Sequence, residues 1–326
     1  MALARTLRPV AAVALLACLV APAAHALAEQ PPSKSSKPAI EFTLSTWLTE
    51  GKTRWNFSNR SPLFGNPTSE LNYKDVGTTV VELGGKATFP NRFFVHGQFG
   101  YGTVGGGRLT DDDYLAGQQL FSRTDSNLDG SHVWYLNADV GYQLILFPQN
   151  RGYLGAFIGY QHRDEKLEAT GVTQVVCTAP GVLCNPAGTV SNVGQVVLTN
   201  TSHWNALRIG LEGDVRVAAR LTVDGQFAFL PFTALTNDDI HHLRTDLKQD
   251  PSIRMTGTGI GYNAEAKASV LVYEQLFFDV GYRYWWQKVS DGDIVFRGTT
   301  GDSPALPLNE FRSIRQGVTF GLRYTF

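Results

Sequence analysis

The stretch Asn237-Asp238-Asp239-Ile240-His241-His242-Leu243-Arg244 sets two adjacent carboxylates one residue before two adjacent imidazoles. A second acidic run, Asp111-Asp112-Asp113-Tyr114, follows the small-residue stretch Gly105-Gly106-Gly107. A histidine within reach of an aspartate is held in one tautomer and made more basic. A facing carboxylate pair can bind a water and share a proton, so the two together make a general-base site with no covalent nucleophile. On an extended chain residues i and i+2 share a face. Asp111 would then point with Asp113, and Asp239 with His241, while Asp112, Asp238 and His242 point elsewhere. From residue types alone, solvated loops or a weak calcium site account for such runs equally well. A zinc site is disfavoured, because His241 and His242 would face opposite ways on a strand, and no metal is expected.

The elements that would carry these residues follow from what surrounds them. Arg5 and Arg8 precede an apolar run from Val10 to Ala21 and the triplet Ala24-His25-Ala26, the pattern of an export signal. Residues 1–26 are therefore expected to be a signal peptide and 27–326 one exported domain, with cleavage after Ala28, or a lipoprotein signal through Leu15-Leu16-Ala17-Cys18, as alternatives. The mature part has no second apolar run long enough to cross a membrane as a helix. A formal net charge of −1 gives no argument for nucleic acid as a partner. Two of the three cysteines, Cys177 and Cys184, remain after the signal, and in an oxidising compartment they are expected to pair as a local disulfide.

Alternation decides the architecture. At the C-terminus Val318, Phe320, Leu322, Tyr324 and Phe326 are apolar, with Thr319, Gly321, Arg323 and Thr325 between them. Such a dyad repeat gives a strand with one lipid face and one lumen face. Similar segments appear at about 39–49, 71–89, 92–103, 133–147, 152–164, 203–217, 220–233, 254–271, 276–289 and 312–326. The fold class expected is thus all-β: a ten-stranded antiparallel transmembrane β-barrel with both ends on the periplasmic side. Short turns at Phe89–Arg92, Phe147–Gly152, Val217–Leu221 and Leu271–Leu276 would face the periplasm. Long segments near 50–70, 104–132, 165–202, 234–253 and 290–311 would be extracellular loops, bringing the two acidic runs together at the mouth. Glu212, Asp214, Arg216, Glu265, Lys267 and Arg283 alternate with apolar neighbours, which assigns them to a narrow lumen where they pair. The expected location is the bacterial outer membrane, as a monomer.

In this order the pieces resemble the omptins, a family of ten-stranded outer-membrane proteases. Leu44-Ser45-Thr46-Trp47-Leu48-Thr49-Glu50-Gly51-Lys52-Thr53 is similar to the first omptin strand, and Ser69-Glu70-Leu71-Asn72-Tyr73-Lys74 to a later run. Asp111-Asp112-Asp113-Tyr114, Gly159-Tyr160-Gln161, Asp239-Ile240-His241 and Gly321 to Phe326 fit as well. The resemblance implies an endopeptidase in which Asp111 and Asp113 flank the attacking water and Asp239 with His241 activates it, facing outward. It implies no cofactor, a peptide or protein substrate, and activity that depends on lipopolysaccharide. Two positions depart from the pattern: the acids that hold a basic substrate side chain are Trp55 and Asn237 here, which as substrate-binding residues favour a neutral or apolar side chain. In the lipopolysaccharide contact Tyr160 matches, but the basic position is Asp164, with Arg163 one residue out of phase and so on the other face. The alternative reading is a non-catalytic barrel: a narrow porin, an adhesin or a structural surface protein.

Overall fold

A computed structural model describes residues 37–59, 61 and 63–326; the signal segment and Cys18 lie outside the described residues. The strands are β1 (Ala39–Phe57), β2 (Ser69–Thr88), β3 (Phe93–Leu115), β4 (Gln119–Leu128), β5 (His132–Leu146), β6 (Gly152–Cys177), β7 (Val190–Ala218), β8 (Leu221–His241), β9 (Ile253–Tyr273), β10 (Leu276–Gly298), β11 (Gly301–Asp302) and β12 (Leu306–Thr325). They form one antiparallel sheet that closes on itself, because β1 pairs with both β2 and β12 while β10 pairs with both β9 and β12. Closure satisfies every edge, the condition for β-structure in lipid. β4 and β5 share one place in the ring, each pairing with β3 on one side and β6 on the other. β11 is a two-residue arm on β10.

At one end the connections are tight: two residues separate Ala218 from Leu221 and Tyr273 from Leu276, and a 3₁₀ turn at Pro148–Asn150 joins β5 to β6. At the other end the strands run further than alternation of apolar residues indicated. β1 continues to Phe57, β3 to Leu115, β6 to Cys177, β8 to His241 and β10 to Gly298, so much of the chain read as loop is strand. The cause lies in the outward face. Within the lower part it is apolar, as at Leu44, Leu83, Phe99, Ile158, Ile209, Phe229 and Phe320, all exposed. Higher on the same face of β1 come Glu50, Lys52, Arg54 and Asn56, so the apolar signal stops while backbone pairing goes on.

The interior changes in the opposite sense. In the lower part it is charged. Buried Arg283 lies between Glu82 and Glu265, with Nε 3.0 Å from Glu265, and Arg208 lies 3.0 Å from Asp139. Lys86 pairs with Glu212, and Arg323 reaches Asp279 at 3.3 Å and Glu41 at 3.2 Å. Between these groups lies a cavity of about 120 Å³ lined by Lys86, Glu212, Glu265 and Lys267 among others. Arg216, expected inside with them, is exposed at the end of β7, where the alternation no longer has a lumen to face. In the upper part the interior is apolar, filled by Trp55, Leu71, Leu109, Leu167, Trp204, Leu235, Ile253, Met255 and Phe311. Beyond the ring the structure joins Cys177 to Cys184 in a disulfide that closes the segment after β6.

At the top two turns support each other. Gly65 and Gly117 adopt φ of +70° and +72°, and a Cβ on either would lie 2.5 Å from backbone of the opposing turn. Only glycine combines a left-handed conformation with that approach, so the β1–β2 connection is seated against the β3–β4 turn.

Candidate active site

Asp111 and Asp113 lie within β3, not past its end, and Asp239 and His241 close β8. Each pair occupies alternate positions and points inward, toward the upper interior. Ser69 of β2 is paired in register with Asp113, and its hydroxyl donates to Asp111 Oδ1 at 3.3 Å. The intervening residues belong to the outer face. Asp112 accepts two bonds from Arg123 of β4, at 2.5 and 2.7 Å. Asp238 accepts two from Arg254 of β9, at 2.7 and 3.0 Å. His242 Nε2 lies 2.9 Å from the Thr199 hydroxyl. These three are structural partners, as alternation requires.

Asp239 is fully buried. Its Oδ1 accepts from Asn200 Nδ2 on β7, while Oδ2 has no partner among the described residues. Asn200 and Asn237 exchange side-chain amide bonds at 3.1 and 3.0 Å, and Asn237 also donates to the Thr201 carbonyl at 3.2 Å. The His241 backbone N–H donates to Ser252 Oγ at 3.0 Å, but its ring Nε2 is buried with no partner among the described residues. The structure therefore places Asp239 and His241 on one face without a hydrogen bond between them; the aspartate is held by an amide instead.

Burial sets the electrostatics. It raises the Asp239 carboxyl to about 8, against the lowering effect of the Asn200 bond. It lowers the His241 imidazole to about 4, with Arg244 and His242 adding to the effect, so the ring stays neutral at physiological pH. Asp111 is raised well above the carboxylate range by burial and then by Asp113, with a further contribution from Asp239. Asp113 is raised too, chiefly by burial, while its bond to Ser69 opposes the shift. Two carboxyls so placed favour a shared proton. The contribution of Asp239 to Asp111 also puts the β3 and β8 motifs within electrostatic reach of each other across the interior.

Sequence reasoning missed Tyr73. It is fully buried on β2, its hydroxyl faces the Trp55 indole, and Asp239, Asp111 and Glu165 all act on it. The spacing Ser69-Leu71-Tyr73 on one strand face was the available signal. Trp55 and Asn237 are sealed in the interior. Trp55 is 1% exposed, in register between Leu71 and Phe311, and Asn237 is 0% exposed with its amide fully used. Neither lines an open pocket in this conformation. On the outer wall Tyr160 is exposed, whereas Asp164 engages His162 at 3.3 Å and His203 at 2.5 Å and Arg163 points inside. Among the described residues no three His, Cys, Asp or Glu side chains converge as a metal site.

Comparison with solved structures places this architecture. The outer membrane protease OmpT from Escherichia coli superposes with a TM-score of 0.74 at 16% identity, covering 88% of this chain and 97% of that one. At that identity the likeness is one of fold. The translocator domain of the autotransporter NalP from Neisseria meningitidis gives 0.36 at 12% identity, covering 88% of each chain. The toluene transporter TodX from Pseudomonas putida gives 0.27 at 6%, covering 89% of each. No curated protein matches the sequence. A family model, the Protochlamydia outer membrane protein, matches residues 49–326. With a closed antiparallel ring, an apolar outer belt and that match, the chain belongs to the Protochlamydia outer membrane protein family and is an outer-membrane β-barrel.

Proposed function

We propose that this chain is an omptin-like endopeptidase, a ten-stranded barrel in which β4 and β5 count as one interrupted strand, with its site facing the cell exterior. Asp111 and Asp113 hold the attacking water. His241, neutral at physiological pH, takes the water's proton as its oxygen adds to the scissile carbonyl, and Asp239 orients the ring once the Asn200 bond is exchanged for one to His241. The proton then passes to the leaving amine, with no acyl-enzyme. The observation that carries this reading is that the two motifs, on β3 and β8 and more than a hundred residues apart, both turn alternate side chains into the same upper interior.

The substrate is a peptide or exposed protein segment. With Trp55 and Asn237 where omptins carry acids, nothing at those two positions holds a basic side chain, and a neutral one is favoured. Lipid and lipopolysaccharide are the proposed surroundings, with Tyr160 as a contact. Because Asp164 replaces the basic residue, dependence on lipopolysaccharide is expected to be weaker than in omptins.

A second reading, a non-catalytic surface barrel, is favoured by one observation: Asp239 bonds to Asn200 and not to His241. A channel fits less well, since paired charges fill the lower lumen. The two readings separate on refolding the chain with and without lipopolysaccharide and screening a mixed peptide library against Asp239→Ala and His241→Ala. The enzyme reading expects cleavage that both substitutions abolish. Cleavage surviving both would remove the dyad, and no cleavage by the wild type would leave the non-catalytic barrel.

A further inference from the structure

Below the candidate site the interior holds a cation with no hydrogen-bonded counter-charge of its own. Arg163 of β6 is 0% exposed, and its Nε, Nη1 and Nη2 have no acceptor among the described protein groups. Its guanidinium lies 5.5 Å from the ring of Trp204, its register partner on β7. The charged groups that act on it are Glu165 and Arg315. Glu165 is already committed: Arg315 Nε of β12 donates to its Oε2 at 3.1 Å and Arg315 Nη2 lies 2.9 Å from its Oε1, while Arg315 Nη1 donates to the Thr78 hydroxyl at 3.0 Å. Gly51 leaves the space for Arg315, since a Cβ there would lie 2.9 Å from its Nη1. Two guanidinium groups thus share one carboxylate, leaving a net positive charge in a closed interior.

Such a charge is not relieved by proton loss, because a guanidinium stays protonated in proteins. A buried charge without a counter-charge or hydrogen bonds is strongly unfavourable. Neighbouring inward donors are unclaimed too: the Trp204 indole Nε1 and, on β8, the hydroxyl of Thr233, which is 0% exposed. The level is above the lipid belt, as the outward neighbours His162, Asp164, His203 and Asn205 are polar.

We propose that Arg163, with the unclaimed indole N–H of Trp204 beside it, binds one small monovalent anion of the halide or carboxylate class inside the barrel. Its charge balances Arg163 and Arg315 against Glu165, and it fixes Arg163 against Trp204. The site does not depend on the proteolytic reading, because a structural barrel would need the same counter-charge.

The test uses the refolded full chain. Crystals soaked in bromide should show an anomalous scattering peak within hydrogen-bond reach of the Arg163 guanidinium. Unfolding, followed by the gel mobility shift on heating, should move up by several degrees when gluconate is replaced by bromide. A formate arm distinguishes a carboxylate-binding site, which would respond to both ions, from a halide site. Arg163→Met should abolish the ion dependence whatever it does to the baseline. If that variant does not fold, the wild-type diffraction still decides. No bromide at Arg163, or the same ion dependence in wild type and variant, overturns the proposal.

Discussion

The lower and upper halves of this barrel are built from the same strands with opposite chemistry. Below, apolar side chains face out and paired charges face in, as with Leu83 beside Glu82. Above, ion pairs cover the outside and the inside is mostly apolar, with the candidate-site carboxyls and the Arg163, Glu165 and Arg315 group set into it. Arg54 meets Glu70 at 2.5 Å on the outside, while Trp55 and Leu71 are buried within. The same strands run through both: β1 keeps its odd-numbered residues inside throughout, while β2 passes a bulge near Asp75 where the inward positions change from Glu82 and Val80 to Tyr73 and Leu71. The difference teaches that strand phase and hydrophobic phase are separate properties. The strand sets which side chains share a face, and the medium outside sets which face is apolar: lipid in one half, water in the other.

The largest effect expected from breaking this contrast is in the lower interior. Arg283→Met strands Glu82 and Glu265 without their shared cation. It should cost about 3–5 kcal/mol, the range for removing one partner of a buried ion pair, measured as the urea midpoint in lipid vesicles. Next is the lower exterior. Leu83→Arg puts a charge against lipid and should cost about 2–4 kcal/mol near the bilayer midplane, whereas Arg54 at the same phase above the belt is tolerated because water surrounds it.

A third prediction sharpens the upper interior. The Asp239 carboxyl, raised by burial from an ordinary 3.8 to about 8, keeps its proton in the fold while the unfolded chain loses it. Stability attributable to this group is full below 3.8 and declines as pH rises toward 8, because the unfolded chain then binds fewer protons. Asp239→Asn should remove that decline, so its denaturation midpoint gains on the wild type across this window and runs parallel above it. If the reaction needs the carboxylate, kcat/KM of the wild type should rise over the same range. The smallest effect belongs to the upper exterior. Arg254 is half-exposed, and Arg254→Ala, which frees Asp238, should change stability by less than about 1 kcal/mol in the same urea titration.

How much of this was readable beforehand follows from the same inversion. The C-terminal strand, the tight turns and the outward placement of Asp112, Asp238 and His242 all rest on strict alternation, which is a local property. The upper strands were not readable as strands, because at Glu50, Lys52 and Arg54 the outward face turns polar and the pattern looks like loop. Nor could alternation reveal that Asn200 would hold Asp239, that Tyr73 would be fully buried or that Trp55 would be sealed. Those contacts join residues distant in sequence, and only ring closure brings them together.

The inside–outside contrast and the proposed chemistry meet in two adjacent residues. Asp111 faces the interior beside Ser69, while Asp112 faces out and bonds to Arg123. The most direct measurement is kcat/KM for a cleaved peptide in Asp111→Asn and Asp112→Asn, each shown to be folded by its mobility shift on heating. The account predicts a loss on the order of 10²–10⁴-fold for Asp111→Asn, the scale of a general acid–base contribution, with cleavage by Asp112→Asn close to wild type. Equal losses in the two variants, or full activity in Asp111→Asn, would contradict it.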